Sequence, residues 1–118
     1  MIVGLGVDIL EIDRMTAMLS NHPVEFCRKI LSEAECTYYK NYNPSLIATL
    51  FTVKEAFVKA LGIGFREGIS LQSISVIDDK IFYPKQAEAF LLKKNAKHLS
   101  FSHMTTSIYA ISMVILET

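Results

Sequence analysis

Residues 43–64 read Asn-Pro-Ser-Leu-Ile-Ala-Thr-Leu-Phe-Thr-Val-Lys-Glu-Ala-Phe-Val-Lys-Ala-Leu-Gly-Ile-Gly. Asn43 and Pro44 supply a cap and a first-turn proline, and Gly62 supplies a stop, so the stretch predicts a helix over Pro44–Leu61. Leu46, Leu50, Val53, Phe57 and Leu61 recur at three- and four-residue steps and mark the side that faces the core. A second stripe, Ala48, Thr52, Glu55, Lys59 and Gly62, is expected to face away from it. Glu55 and Lys59 are neighbours one turn apart. By themselves they read as a solvated ion pair. With Gly62-Ile63-Gly64 beyond them they also describe a shallow trough able to take phosphates and a metal.

Working outward, residues 2–10 (IVGLGVDIL) predict a strand buried on both faces. Asp8 interrupts it. An unpaired carboxylate there would cost several kcal/mol, so Asp8 either caps the strand end, pairs with a base such as Arg14, or binds a metal. Helical spacing follows from Glu11 to Leu19, closed by Pro23, and one or two short helices fit residues 24–40. Ser32 and Glu35 form a capping box. Downstream, residues 69–77 and 80–83 are expected to be extended around Asp78-Asp79, and Pro84 opens a helix to about Ala96. Strands over His98–His103 and Ile108–Leu116 close the chain, the last one central. The fold class is α+β, a small mostly antiparallel sheet packed against a long helix. His103 stands beside a polar turn at a strand end. Ser102 next to it points to the opposite face, so no Ser-His dyad follows.

The composition narrows the function. Among 118 residues, 12 Lys+Arg balance 12 Asp+Glu, which gives no broad basic surface for nucleic acid. With 51% hydrophobic residues and no net charge, apolar surface is expected to be buried in an oligomer. Cys27 and Cys36 lack metal-ligand spacing and read as reduced thiols of a cytoplasmic protein. No stretch is long and apolar enough for a membrane span. Without a linker or repeat, residues 1–118 are expected to form one domain.

Gly6-Val7-Asp8-Ile9 with Ile12 and Arg14 resembles the N-terminal signature of the holo-(acyl-carrier-protein) synthases. Phe51-Thr52-Val53-Lys54-Glu55-Ala56-Phe57-Val58-Lys59-Ala60-Leu61-Gly62 resembles that family's aromatic-x-x-Lys-Glu-Ala-x-x-Lys-Ala-x-Gly motif. Ser100-Phe101-Ser102-His103 with Tyr109-Ala110 resembles the third. The resemblance implies a 4'-phosphopantetheinyl transferase-like fold. It also implies transfer of 4'-phosphopantetheine from coenzyme A to a serine of apo acyl carrier protein, with release of adenosine 3',5'-bisphosphate. Asp8 and Glu55 would then hold Mg²⁺, with Lys59 as a third catalytic residue. Lys54, Lys59, Gly62, Gly64 and His103 would belong to coenzyme A binding. A homotrimer with sites between subunits is implied as well. Leu50 departs from the pattern, since the family commonly carries an arginine there, and Arg14, Arg28 and Lys29 leave the first helices only thinly basic for an acidic carrier. A non-catalytic oligomeric module that binds coenzyme A on the same fold is the alternative reading.

Overall fold

The computed structural model describes residues 1–66 and 68–118. The chain runs through β1 (Ile2–Glu11), α1 (Ile12–Asn21), α2 (Pro23–Ile30), α3 (Glu33–Tyr38) and α4 (Pro44–Leu61). It continues through a 3-10 turn (Leu71–Ser73), β2 (Ser75–Ile77), β3 (Lys80–Phe82), α5 (Lys85–Lys93), β4 (His98–Thr105) and β5 (Tyr109–Glu117). Local chemistry sets the bounds of α4. The Asn43 side chain accepts from the Leu46 N–H at 2.8 Å, Pro44 opens the first turn, and Gly62 ends the helix at φ 79°, a left-handed conformation that favours glycine. α3 starts on the expected capping box, with Glu35 N–H donating to Ser32 Oγ at 3.1 Å and Ser32 N–H donating to Glu35 Oε1 at 2.9 Å.

The main sheet has the order β1-β5-β4, antiparallel throughout, and a separate β2-β3 hairpin stands beside it. α4 crosses one face of the sheet and runs through both halves of the core. One half gathers Ile12, Met15, Phe26, Ile30, Leu50 and Val53, the other Phe57, Leu61, Ile69, Ile74, Val114 and Leu116. The stripe expected to face away from the core does so only in its second half. Ala48 and Thr52 are fully buried, because the sheet covers that side of the helix as well. Thr52 and Ser112 bring their hydroxyl oxygens to 2.7 Å inside this contact. β5 is central, as expected.

β1 lies close on α4 because it has glycine where the two backbones meet. A Cβ at Gly6 would overlap the Ala56 carbonyl oxygen, and one at Gly4 would overlap that of Ala60. Small residues on both partners let strand and helix touch directly, so the side chains flanking the contact are pressed together.

β1 is not buried on both faces. Leu5, Val7 and Ile9 are 56%, 45% and 56% exposed on the face turned away from α4. The register continues that apolar surface across the sheet as Leu5–Ile115–Ser100, Val7–Met113–Ser102 and Ile9–Ile111–Met104. An apolar strand reads the same whether its second face is covered by its own chain or left open, which is why the sequence pattern overestimated its burial.

The contact at Gly6 predicts a steep steric cost. Gly6→Ala is expected to lower the free energy of unfolding by ~1–3 kcal/mol or more, while Gly64→Ala, whose added methyl meets nothing within 4 Å, should change it by less than about 0.5 kcal/mol. Urea denaturation of the two variants checks this; equal midpoints would remove the close approach from the account.

Candidate active site

Asp8 and Glu55 come to the same place from different elements. Asp8 sits on the α4 side of β1, in a register row with Ser112 of β5 and His103 of β4. Lys59, one turn beyond Glu55, donates to Asp8 Oδ1 at 2.9 Å and to the Val7 carbonyl oxygen at 3.0 Å. Its side chain is half exposed and that of Asp8 is 15% exposed, so the pair lies at the rim of the site. Glu55 and Asp8 both line a cavity of about 410 Å³, with Arg14, Phe26 and Phe51 among its other walls. Burial first, and the neighbouring Asp8 carboxylate second, push the Glu55 pKa up, while Lys59 pulls it back. Two carboxylates converging around one lysine favour a further cation.

The structure thus selects among the readings of Asp8. Its base is Lys59; Arg14 lines the same cavity but forms no ion pair with it. Among the described residues the ion pairs are Lys59–Asp8 and Lys54–Glu35. The all-oxygen donor set of Asp8 and Glu55 fits Mg²⁺, a hard cation that takes one or two carboxylates and completes its shell with phosphate oxygens and water. Among the described residues no group of three or more His, Cys, Asp or Glu side chains is placed to hold a metal ion, so the chain itself offers these two carboxylates.

Lys54 must be corrected. It was expected to bind coenzyme A, but its side chain is fully buried, with Nζ 2.5 Å from Glu35 Oε1. It also donates to the carbonyl oxygens of Ile30 at 2.7 Å and Leu71 at 3.0 Å. Burial lowers its pKa and Glu35 offsets part of that effect. Adjacent helix residues point about 100° apart, so Glu55 can face the cavity while Lys54 enters the core. Leu50 is likewise buried, in the apolar cluster with Ile47 and Val53, and offers nothing to a phosphate.

Gly62, Gly64 and His103 do not line the cavity. Gly62 and Gly64 are exposed at the end of α4, with Lys94 of the turn after α5 close to Gly62. His103 is exposed on β4, stacked on Phe101 with ring centroids 6.3 Å apart. It is two strands from Asp8, about 10 Å by strand spacing. The walls supplied by Phe51 and Phe26 were not singled out from the sequence as site residues. Phe51 carried a usable signal, since it lies one turn before Glu55 on the same helical face. Ser112 carried another, as the lone polar residue alternating with Ala110, Val114 and Leu116 on the covered face of β5.

A roomier cavity, about 640 Å³, opens on the opposite flank of α1 among Thr16, Leu19, Pro23, Val24, Cys27 and Pro44. Among the described residues no carboxylate lines it, whereas Asp8 and Glu55 line the smaller cavity. The strained charge of Glu55 makes a prediction of its own. A carboxylate whose folded pKa is raised favours folding below its unfolded pKa and loses that contribution as pH rises through the folded pKa. Glu55→Gln is therefore expected to raise the Tm of the metal-free protein at pH 7, with the difference vanishing at acid pH. Mg²⁺ should raise the Tm of the parent protein and leave the variant unmoved. Scanning fluorimetry with and without Mg²⁺ reads this, and a variant less stable than the parent at pH 7 would contradict it.

Comparison with known proteins identifies the family and the fold. The sequence profile of the 4'-phosphopantetheinyl transferase superfamily matches residues 4–114. A holo-(acyl-carrier-protein) synthase of Exiguobacterium is 36% identical over 121 residues, spanning 99% of this chain and 93% of that one. One from Staphylococcus aureus is 37% identical over 123 residues, spanning 99% and 97%. The crystal structure of the holo-(acyl-carrier-protein) synthase from Neisseria meningitidis superposes with a TM-score of 0.88 at 26% identity over the whole of both chains. That of a Bacillus anthracis synthase in complex with CoA (3',5'-ADP) gives 0.78 at 28% identity, covering 100% of this chain and 98% of that one. With its motifs, its length and its fold in agreement, the chain belongs to the 4'-phosphopantetheinyl transferase superfamily and is a transferase of the holo-(acyl-carrier-protein) synthase family.

Proposed function

We propose that the protein transfers 4'-phosphopantetheine from coenzyme A to a serine of apo acyl carrier protein in a Mg²⁺-dependent reaction, releasing adenosine 3',5'-bisphosphate. The observation that carries this reading is the convergence of Asp8, Glu55 and Lys59 at one cavity edge. Asp8 and Glu55 would hold the metal against the pyrophosphate of coenzyme A, where it supplies charge neutralisation for the transferring phosphoryl group. The serine Oγ, giving up its proton to Glu55, to Lys59 or to water, forms a bond to the phosphorus that bears the pantetheine, and the bridging oxygen leaves with the adenosine 3',5'-bisphosphate. Lys59, paired with Asp8, is placed to offer positive charge to the phosphates. Lys59, with exposed Gly62 and Gly64 beyond it, supports a phosphate path along the end of α4. The relative that carries CoA (3',5'-ADP) in its crystal structure supports the donor.

The open sheet face supports a homotrimer. Its rows of Leu5, Val7, Ile9, Ile111, Met113 and Ile115 leave apolar surface that water would not favour. In such an assembly, His103 of one subunit could complete the site of the next, which suits its distance from Asp8 within one chain. We place the reaction in the cytoplasm, where the free thiols of Cys27 and Cys36 stay reduced, and in the supply of holo carrier for fatty acid synthesis. No helix of the described residues is long and apolar enough to cross a membrane. Residues 1–118 act as a single transferase domain in this reading.

The test is direct. Incubated with coenzyme A, Mg²⁺ and an apo acyl carrier protein, the protein should add one phosphopantetheine mass to the carrier. Asp8→Ala and Glu55→Ala should each cut the rate by about 10²-fold or more, and Met113→Lys should dissociate the assembly in sedimentation and lower the rate with it. Coenzyme A binding without any mass gain on several carriers would instead favour the non-catalytic module.

A further inference from the structure

The lysine that precedes Glu55 has a job that its motif position conceals. Lys54 is fully buried, and its three protons are all assigned: to Glu35 Oε1 at 2.5 Å, to the Ile30 carbonyl oxygen at 2.7 Å and to the Leu71 carbonyl oxygen at 3.0 Å. Glu35 is equally committed. Besides Lys54 it accepts from the Ser32 N–H and, through Oε2, from the Val76 N–H at 2.9 Å. No buried side-chain polar atom among the described residues is left without a partner. Ile30 is the last residue of α2, so its carbonyl is one that the helix itself cannot satisfy. Among the described residues, the bond from Lys54 to Ile30 is the one hydrogen bond that joins α2 to α4.

We propose that Lys54, locked by Glu35, is a positioning residue for the acceptor side of the site: it fixes the end of α2 against α4 and so holds Phe26 opposite Glu55. Phe26 stands one turn before Ile30 on α2 and walls the cavity that contains Asp8 and Glu55. Met18 and Arg14 of α1 complete that wall, away from the Gly62–Gly64 end of α4. Loosening α2 would therefore disturb the surface where a second substrate must approach, while leaving the phosphate path along α4 in place. The inference rests on the proposed carrier reaction for its kinetic consequence and on the structure alone for its mechanical one.

A buried charge left without its partner is costly, so the test changes both members. Lys54→Met/Glu35→Gln removes both charges and keeps one side-chain acceptor, for either the Ser32 or the Val76 N–H group. It is compared with the parent at a temperature where circular dichroism shows each fully folded; Lys54→Met alone, which removes the bond to Ile30 and leaves Glu35 the Ser32 and Val76 N–H donors, replaces it if the pair does not fold. Coenzyme A affinity is expected to stay within about twofold, while the carrier KM rises about tenfold with kcat nearly unchanged. Amide exchange in residues 23–30 should speed up about tenfold, with residues 44–61 unaffected. A folded variant with parental carrier kinetics and parental exchange in 23–30 would reduce Lys54 to a core residue and overturn the proposal. A loss of coenzyme A affinity alone would overturn it in favour of a phosphate ligand. Should the parent protein bind coenzyme A and modify no carrier, the proposed function fails, and the exchange measurement still decides the tie between α2 and α4.

Discussion

The candidate site depends on the direct contact of two backbones. Gly4 and Gly6 of β1 lie against the carbonyl oxygens of Ala60 and Ala56 on α4, with no room for a side chain between them. A strand held that closely to a helix delivers Asp8 to the helix edge that carries Glu55 and Lys59. The cost is electrostatic: a partly buried glutamate stands next to an aspartate, and its proton affinity rises. Packing on the covered face of the sheet holds the arrangement together, through Val114, Leu116 and the Thr52–Ser112 hydroxyl contact. The hydrophobic core thus holds two carboxylates near each other against their mutual repulsion.

Where the deciding information was local, the sequence could be read. α4 begins on Asn43-Pro44 and ends before Gly62, and α3 begins on Ser32 with Glu35, because caps act within one turn. Asp8 was legible as an anomaly in an apolar strand, and Glu55 with Lys59 as a helical pair. What could not be read was which surfaces meet. Ala48 and Thr52 look alike on a solvated face or beneath a sheet, and for Thr52 the covering residue is Ser112 of β5, sixty residues away in the chain. Lys54 was misassigned for a related reason. Lysine is rarely buried unless paired, and its partner Glu35 already had an evident local role as the capping glutamate.

The balance of 12 cationic and 12 anionic residues also takes on a sharper meaning. One lysine–glutamate pair is spent inside the core, where no ligand meets it. Lys59 is pointed at the carboxylates by Asp8 and stays accessible. A chain without net charge can still present positive charge to an anionic ligand when its few site cations are fixed in place. The uncovered apolar face of the sheet lies behind this site, and Val7 belongs to both regions: its side chain is on the open face and its carbonyl accepts from Lys59. Assembly through that face would bear directly on the strand that carries Asp8.

The central claim is that close packing of β1 on α4 forces Asp8 and Glu55 into one electrostatic unit. Carboxyl-carbon NMR titration of Glu55, in the metal-free parent and in Asp8→Asn, measures it most directly. The account predicts a Glu55 pKa above the ordinary glutamate value in the parent, falling part of the way back in Asp8→Asn, where burial remains and the neighbouring charge is gone. A Glu55 that titrates at the ordinary value in the parent and does not respond to Asp8→Asn would contradict it.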